Sequence, residues 1–257
     1  MKDKVVLVTG GSSGIGKATA EKFVEAGASV IIAARDQAKG NRIAQEIGAT
    51  FIQADMGNLS EIEALISKIV GQFGRLDIGV NNAGISKGGG KAIFDFDETE
   101  FDEVIDVNLK GVWGCMKYQI AQMVAQEPAG GAIVNVSSVN GLGGARNGSL
   151  YSASKSGVIA LTKSAAQEFA TQGVRINVLA AGGFDTPMLE TAIKKAVGED
   201  AEAIAKAKEG FASVVPMRRI GDPQEAADAI FWLCSEQSSY VTGHTMIVDG
   251  GMTAYAR

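Results

Sequence analysis

The chain has 257 residues, of which 46% are hydrophobic, 21% are charged and 33 are glycine, and its formal net charge is −5. This composition excludes intrinsic disorder and favours a single compact α/β domain over residues 1–257. No stretch concentrates lysine or arginine and no run of about 18 apolar residues occurs, so we predict neither a nucleic-acid partner nor a membrane span.

Short apolar runs alternate along the chain with longer segments of helical period. The predicted strands are Val5–Val8, Ser29–Ala33, Thr50–Gln53, Asp77–Val80, Ala132–Val136, Arg175–Leu179 and Thr245–Val248. The predicted helices are Ile15–Ala26, Ala38–Ile47, Glu61–Phe73, Glu100–Ala125, Ser152–Ala170 and Gln224–Cys234. Strands that are apolar on both faces and separated by helices predict a Rossmann-type, doubly wound, seven-stranded parallel sheet with helices on both faces.

Two segments interrupt this alternation. Ser86–Asp97 contains Gly88, Gly89 and Gly90 and is predicted to be a surface loop. Asp185–Pro216 is rich in alanine and lysine, and we predict a helical flap on the substrate side of the sheet. A mobile lid and a plain surface helix are both compatible with this pattern.

The two cysteines, Cys115 and Cys234, lie in predicted helices without the spacing of a redox or zinc motif. Together with the single histidine, His244, they cannot supply the ligands of a typical metal site, so no metal is expected. Unpaired cysteines are typical of a reducing compartment, and the apolar run Val5–Val8 is too short for a secretory leader. We therefore expect a cytoplasmic protein.

A glycine-rich turn, Thr9–Gly16, lies between the first predicted strand and the first predicted helix. Glycines let a backbone turn sharply and approach a pyrophosphate, and the following helix N-terminus attracts that anion. A cluster of glycines alone is weak support for a binding site, but the strand–turn–helix context makes this one typical of a dinucleotide site.

Tyr151 and Lys155 share one face of a predicted helix, because residues four apart are neighbours there. A cation beside the phenol is expected to lower the tyrosine pKa and so produce a general acid or base. Ser138 closes a strand 13 residues upstream, where such sheets bind ligands. The segment Asn81–Gly84 directly follows a predicted strand. Asn108 is a poor helix former inside a predicted helix, and a packing or kink role is the alternative to a functional one.

In this order, the motifs resemble those of the short-chain dehydrogenase/reductase family in its single-domain form of roughly 250 residues, and the resemblance extends from Thr9 to Gly251. It implies that Tyr151 exchanges a proton with the substrate oxygen, Lys155 assists it and holds the nicotinamide ribose, and Ser138 orients the carbonyl. Asn108 would anchor a water in a proton relay. The implied cofactor contacts are Gly10, Ser12, Ser13, Gly14, Ile15, Gly16, Arg35, Asp55, Met56, Asn82, Ala83, Gly84, Tyr151, Lys155, Gly183 and Thr186.

Within that family, NAD sites place a carboxylate at the end of the second strand, where this chain has Ala34 followed by Arg35. A guanidinium binds a 2′-phosphate well, so we expect NADP(H), with NAD(H) as the alternative if Asp36 binds the ribose instead of capping the next helix. A second departure is Ala181, where the family usually has proline, which predicts a looser turn under the nicotinamide.

These features predict an oxidoreductase that transfers a hydride between NAD(P)(H) and a ketone or secondary alcohol. A 3-oxoacyl-carrier-protein reductase is the alternative, for which Lys87, Lys91, Arg146, Lys194 and Lys195 form either a docking patch or solvated surface. A third interpretation, from another class, is a non-catalytic dinucleotide-binding sensor. The predicted substrate walls are Ile85, Val139, Asn140, Leu142, Phe184, Met188 and Leu189, and the resemblance implies a homotetramer.

Overall fold

The structure, a computed structural model, describes residues 1–87 and 89–254, so Gly88 of the predicted loop lies outside the described residues. Its strands are β1 (Val5–Thr9), β2 (Ser29–Ala34), β3 (Thr50–Gln53), β4 (Ile78–Asn81), β5 (Gly131–Ser138), β6 (Val174–Ala181) and β7 (Thr245–Val248). They form one 7-stranded parallel sheet in the order β3-β2-β1-β4-β5-β6-β7. The order reverses between β1 and β4, which places a crevice at the carboxyl ends of these two strands.

The helices cover both faces of this sheet. They are α1 (Gly14–Glu25), α2 (Gln37–Ile47), α3 (Leu59–Phe73), α4 (Glu98–Ile105), α5 (Gly111–Ala125), α6 (Ser149–Phe169), α7 (Pro187–Val197), α8 (Ala201–Val214) and α9 (Pro223–Cys234). One apolar core joins the sheet to α3, α5 and α6, and a second joins the opposite face to α1, α2 and α9. The predicted doubly wound sheet is therefore confirmed. Separately, none of the described helices is long and apolar enough to cross a membrane.

The strands have the buried, β-branched sequences that a doubly covered sheet needs. All five residues of β1 are buried, and so are seven of the eight in β5. The one carboxylate at the start of β4, Asp77, is also buried, and it accepts hydrogen bonds from the Val5 amide and from Arg75. These partners compensate the buried carboxylate, which would be costly to leave unpaired.

The predicted helix Glu100–Ala125 is a helical run from Glu98 to Ala125 with an irregularity in its middle. Residues Asp106–Lys110 form a π-helical turn between α4 and α5, and the fully buried Asn108 lies in it. π-helical turns are rare, occur mostly as single turns inside α-helices and are frequent at functional sites. The buried place of Asn108 in this turn is compatible with the packing or kink role that the sequence left as an alternative.

The predicted flap consists of two helices, α7 and α8, which follow β6. Thr186 caps α7 through a 3.4 Å hydrogen bond from the Leu189 amide, and Asp200 caps α8 through a 2.8 Å hydrogen bond from the Ala203 amide. An ion pair of 2.8 Å between Lys208 and Asp185 ties α8 to the start of the flap. This hairpin stands at the carboxyl edge of the sheet, where it borders the crevice.

Candidate active site

A cleft of about 720 Å³ opens at the carboxyl ends of the central strands. Nearly all of the residues named from the sequence line it, and they are Gly10, Ser12, Ser13, Gly14, Ile15, Arg35, Asp55, Met56, Asn82, Ala83, Gly84, Ser138, Tyr151, Lys155, Gly183 and Thr186. Gly16 and Asn108 lie behind its wall, where they shape it without facing it. The structure thus brings the separate motifs of the sequence to one place.

The glycine-rich turn forms one end of the cleft. Gly10 and Gly14 have φ angles of +65° and +52°, which glycine adopts without strain. A Cβ added to Gly16 would stand 2.3 Å from the Gly10 carbonyl oxygen, so only glycine lets α1 start this close to the turn. Ser13 precedes α1 without a side-chain capping bond, which leaves the first amides of the helix available for an anion. This cradle fits the pyrophosphate of a dinucleotide.

The segment after β4 is braced against that turn. The Thr9 hydroxyl accepts hydrogen bonds of 3.1 Å from the amides of both Asn82 and Ala83. The Asn82 side-chain amide donates to the Thr9 carbonyl at 3.0 Å. Asn82 therefore holds the ends of β1 and β4 together on either side of the crevice, in addition to lining it.

Ser138, Tyr151 and Lys155 converge on the floor of the cleft. Ser138 is the last residue of β5, and Tyr151 and Lys155 lie one turn apart near the start of α6. The Lys155 ammonium lies 5.8 Å from the centroid of the Tyr151 ring. A hydrogen bond of 2.8 Å from the Ser137 hydroxyl to the Lys155 carbonyl joins β5 to α6 and fixes their relative position.

The Lys155 ammonium is buried and donates a hydrogen bond of 2.9 Å to the Val136 carbonyl oxygen. Burial disfavours the charged form, and it lowers the pKa of Lys155 from its usual 10.5 to about 8. The ammonium is consequently a group whose protonation changes close to neutral pH.

Tyr151 differs from the expectation drawn from its sequence neighbourhood. Burial raises the pKa of Tyr151, and hydrogen bonding to the Ser138 hydroxyl lowers it to a smaller extent. The expected lowering by Lys155 is not found, because the ammonium is directed to the Val136 carbonyl. The phenol is therefore protonated at neutral pH within this site, and it is suited to donate a proton.

Asn108 fixes the loop that follows the Asn82–Gly84 segment. Its side-chain oxygen accepts a hydrogen bond of 2.8 Å from the Ile85 amide, and its side-chain nitrogen donates one of 2.9 Å to the Ile85 carbonyl. Gly84 separates Asn108 from Lys155, since a Cβ there would stand 3.2 Å from the Asn108 oxygen and 3.4 Å from the Lys155 ammonium nitrogen. A residue larger than glycine would crowd the space between them.

At the far end of the cleft, β2 ends at Ala34 and the exposed Arg35 follows it. Asp36 caps α2 by accepting a hydrogen bond of 2.9 Å from the Lys39 amide, as expected from the sequence. Lys39 itself lines the cleft, and sequence reasoning missed it. A lysine in the first turn of a helix opposes the helix dipole, and that unusual position was the available signal. Asp55, beyond β3, accepts a hydrogen bond from the Gly57 amide at 2.9 Å.

Around the opposite end, six of the predicted substrate walls line the cleft, namely Ile85, Val139, Asn140, Phe184, Met188 and Leu189. Leu142 was predicted wrongly, because the short helix after β5 leaves it 41% exposed and outside the cleft. The sequence also missed Ala192, Phe211 and Met252. Phe211 packs so tightly on Gly183 that a Cβ there would stand 2.2 Å from its ring.

Ala181 occupies the place where a proline was expected. It ends β6, where it pairs with Ser138 on one side and Val248 on the other. The Gly182 amide donates a hydrogen bond of 2.9 Å to the Val248 carbonyl. The turn beneath the cleft therefore starts from backbone that is fixed in the sheet.

Comparison with known proteins decides the family. A family model described as "Enoyl-(Acyl carrier protein) reductase" matches residues 10–253. The 3-oxoacyl-[acyl-carrier-protein] reductase of Thermotoga maritima is 37% identical over 257 residues, which is 98% of this chain and 98% of that protein. The chain belongs to the short-chain dehydrogenase/reductase family.

Solved structures of the family agree with the fold. The aldohexose dehydrogenase of Thermoplasma acidophilum superposes with a TM-score of 0.92 at 37% identity, covering 99% of this chain and 96% of that one. Levodione reductase gives 0.91 at 34%, covering 100% of both chains. A 3-ketoacyl-(acyl-carrier-protein) reductase from Brucella melitensis, complexed with NADH, gives 0.87 at 33%, covering 98% of this chain and 99% of that one.

As a short-chain dehydrogenase/reductase, the chain is an oxidoreductase that acts on CH–OH and C=O groups with a nicotinamide dinucleotide. The members compared act on different substrates, including a sugar and carrier-bound acyl groups. Among residues 1–87 and 89–254, no group of three or more metal-ligating side chains could hold a metal ion.

Proposed function

We propose that the chain reduces a ketone to a secondary alcohol, or catalyses the reverse oxidation, with Tyr151 as its proton donor and acceptor. The observation that carries this proposal is the convergence of Ser138, Tyr151 and Lys155 on the floor of the dinucleotide cleft. A bound nicotinamide supplies or accepts the hydride, and the protein supplies position and electrostatics.

The three side chains divide the remaining work. The raised pKa of Tyr151 keeps its phenol protonated, so that it can donate to a carbonyl oxygen as negative charge develops there. The Ser138 hydroxyl is placed to donate a second hydrogen bond to the same oxygen. The Lys155 ammonium stabilises the phenolate that remains after the proton has left.

Asn108 and Gly84 complete the proposed proton path. Asn108 is fully buried, and the space beside Gly84 lies between it and the Lys155 ammonium. We assign to Asn108 the anchoring of a water that returns a proton to Lys155 and Tyr151. Its two hydrogen bonds with Ile85 support this role, because they fix the orientation of the side-chain amide.

For the cofactor we propose a preference for NADP(H) over NAD(H). Ala34 offers no carboxylate to bind the ribose hydroxyls, while Arg35 and Lys39 both line the cleft at this end. Asp36 is the competing group, but one of its oxygens already accepts from the Lys39 amide as the cap of α2. A 2′-phosphate would meet two cations here, which favours the phosphorylated cofactor.

Replacing Arg35 by alanine should weaken NADPH binding at least about tenfold and NADH binding less than about twofold, since a charge-assisted hydrogen bond to phosphate is lost. Titration of nicotinamide fluorescence with each cofactor measures both dissociation constants. Arg42→Ala, an exposed change on the neighbouring helix α2 and outside the cleft, is the matched control. Equal losses for the two cofactors in Arg35→Ala would contradict the preference.

Two further proposals concern assembly and location. We propose a homotetramer, supported by Phe101 on α4 and Trp113 on α5, whose side chains are 47% and 41% exposed. Exposed apolar surface of this kind commonly marks a contact between subunits. We also propose that the protein works in the cytoplasm, which suits its free, buried cysteines.

A 3-oxoacyl-carrier-protein reductase is the second candidate, because the T. maritima relative has that activity. A non-catalytic sensor is the third, and it has less support because such a protein has no need of all three reactive side chains. Cofactor binding without turnover of any carbonyl or alcohol would favour the sensor.

A further inference from the structure

Two segments face each other across the mouth of the cleft. The first, residues 86–110, contributes Ser86 and Gly89 to the lining, and the flap, residues 185–216, contributes Met188, Leu189 and Phe211. The pKa of Glu100 is lowered mainly by its hydrogen bond with Lys91, and Lys195 of the flap adds a weaker attraction. The two segments are therefore close enough to interact electrostatically.

Both segments are acidic. Residues 86–110 include seven acidic and three basic side chains, and residues 185–216 include six acidic and four basic ones. Their combined excess of negative charge exceeds that of the whole chain, whose formal net charge is −5. A substrate that enters between them meets a negative potential, which repels anions and slows their association.

Three of the four lysines that were candidates for a docking patch form ion pairs with carboxylates. Lys87 pairs with Glu103, and Lys91 pairs with Glu100 at 2.6 Å. Lys194 pairs with Glu190 at 2.9 Å. Of the candidates within the described part of the chain, Arg146 and Lys195 are exposed cations without a carboxylate at ion-pair distance. The pattern fits solvated surface better than a site for an acidic partner.

Among the described residues that line the substrate end of the cleft, none offers a free cationic side chain that could bind an anion. Of the described lining residues, the cations are Arg35, Lys39 and Lys155. Arg35 and Lys39 belong to the adenosine end, and the Lys155 ammonium is buried beneath Tyr151. The remaining walls at the substrate end are largely apolar, so a carboxylate or phosphate there would lose its hydration without compensation.

We infer that the substrate is a free, uncharged carbonyl compound or alcohol, and that substrates carried by an acidic protein or by an anionic nucleotide are disfavoured. This inference rests on the proposed function and narrows it. The acidic mouth, the pairing of three candidate lysines and the apolar walls of the substrate end all disfavour a carrier-bound substrate.

The test compares one reacting group on three supports of different charge. Acetoacetyl thioesters of N-acetylcysteamine, of coenzyme A and of an acidic acyl carrier protein are reduced with saturating NADPH, and kcat/KM is measured at low and at high salt. The neutral N-acetylcysteamine thioester should react with a kcat/KM at least about tenfold higher than either anionic substrate. Added salt should raise the rates of the anionic substrates selectively.

A double variant that removes two carboxylates from the mouth tests the electrostatic argument directly. Glu103→Gln/Glu190→Gln frees Lys87 and removes one of the two ion pairs of Lys194, which keeps Glu199 at 3.6 Å. It should raise kcat/KM for the coenzyme A thioester about threefold or more without changing that of the neutral thioester. Glu63→Gln/Glu168→Gln removes the same charge from α3 and α6 outside the cleft, and should change neither.

Two results would overturn the inference, and they are distinguishable. If either anionic substrate has the higher kcat/KM and loses it on addition of salt, the mouth attracts anions and the inference is wrong while the proposed function stands. If no thioester and no neutral cyclic ketone is reduced although NADPH binds, the proposed function fails, and the inference fails with it.

Discussion

Replacing Tyr151 by phenylalanine should lower kcat for carbonyl reduction by about 10³-fold, since general acid catalysis typically contributes 10²–10⁴-fold. That loss corresponds to about 4 kcal/mol of transition-state stabilisation. The change removes one hydroxyl and keeps the ring, so the packing of α6 and the position of Lys155 are preserved. NADPH binding should stay within about twofold of the original, because the cofactor keeps its other contacts.

Tyr118→Phe is the matched control for this experiment. The Tyr118 hydroxyl also makes a side-chain hydrogen bond, donating to Glu63 at 3.2 Å, but it lies on α5 outside the cleft. Its loss should leave kcat unchanged. A Tyr151→Phe enzyme that binds cofactor normally and keeps its full kcat would show that another group transfers the proton.

Replacing Lys155 by methionine should lower kcat by about 10²-fold or more, because the phenolate left on Tyr151 would have no cation beside it in a buried site. Methionine keeps the length and apolar character of the side chain but cannot donate to the Val136 carbonyl.

The unmodified enzyme should show a pH dependence that reflects the titration of Lys155. Reduction needs the ammonium, which is present below its pKa of about 8, so the rate should fall as pH rises through about 8.

The pH profile also distinguishes a catalytic role of Lys155 from a structural one. If the ammonium only braces β5, Lys155→Met should lose stability while any remaining activity keeps the original fall near pH 8. We expect instead that this fall is absent from the variant, because the titrating group has been removed. A fall near pH 8 in both proteins would assign the titration to a different group.

Fold and site differ in how far the sequence could predict them. The strands were found within a few residues, because strands buried on both faces are continuous apolar runs and helices have a different period. The π-helical turn at Asn108 was not predicted, and the hydrogen bonds of Asn108 go to Ile85, a residue 23 positions away. Local propensity describes Asn108 as a poor helix former but not which neighbour it binds.

The reactive residues could be placed because simple geometry relates them. Ser138 ends a strand, and Tyr151 and Lys155 are one helical turn apart, so the fold alone brings them to one edge. The substrate walls depend on packing between distant segments. Phe211 reaches the cleft because Gly183 has no Cβ, and no pattern within the flap indicates that pairing.

Electrostatics was the least predictable part of the site. The spacing of Tyr151 and Lys155 predicted a lowered tyrosine pKa, but in the structure burial raises the pKa of Tyr151 and lowers that of Lys155. Burial and the hydrogen bond from Lys155 to the Val136 carbonyl depend on the folded structure, and their effect on the two pKa values is larger than the effect expected from the spacing of Tyr151 and Lys155. The pairing of the lysines at the mouth depends in the same way on the folded arrangement.

Transfer of isotope from cofactor to product tests the central claim most directly. The purified protein is incubated with a neutral ketone and NADPH that carries deuterium on the reactive face of nicotinamide C4, and the product alcohol is analysed by mass spectrometry and NMR. The proposed function predicts one deuterium on the carbinol carbon and none there when the deuterium is supplied only by the solvent. Product with a solvent-derived hydrogen on that carbon, or no alcohol despite bound cofactor, would contradict direct hydride transfer at this site.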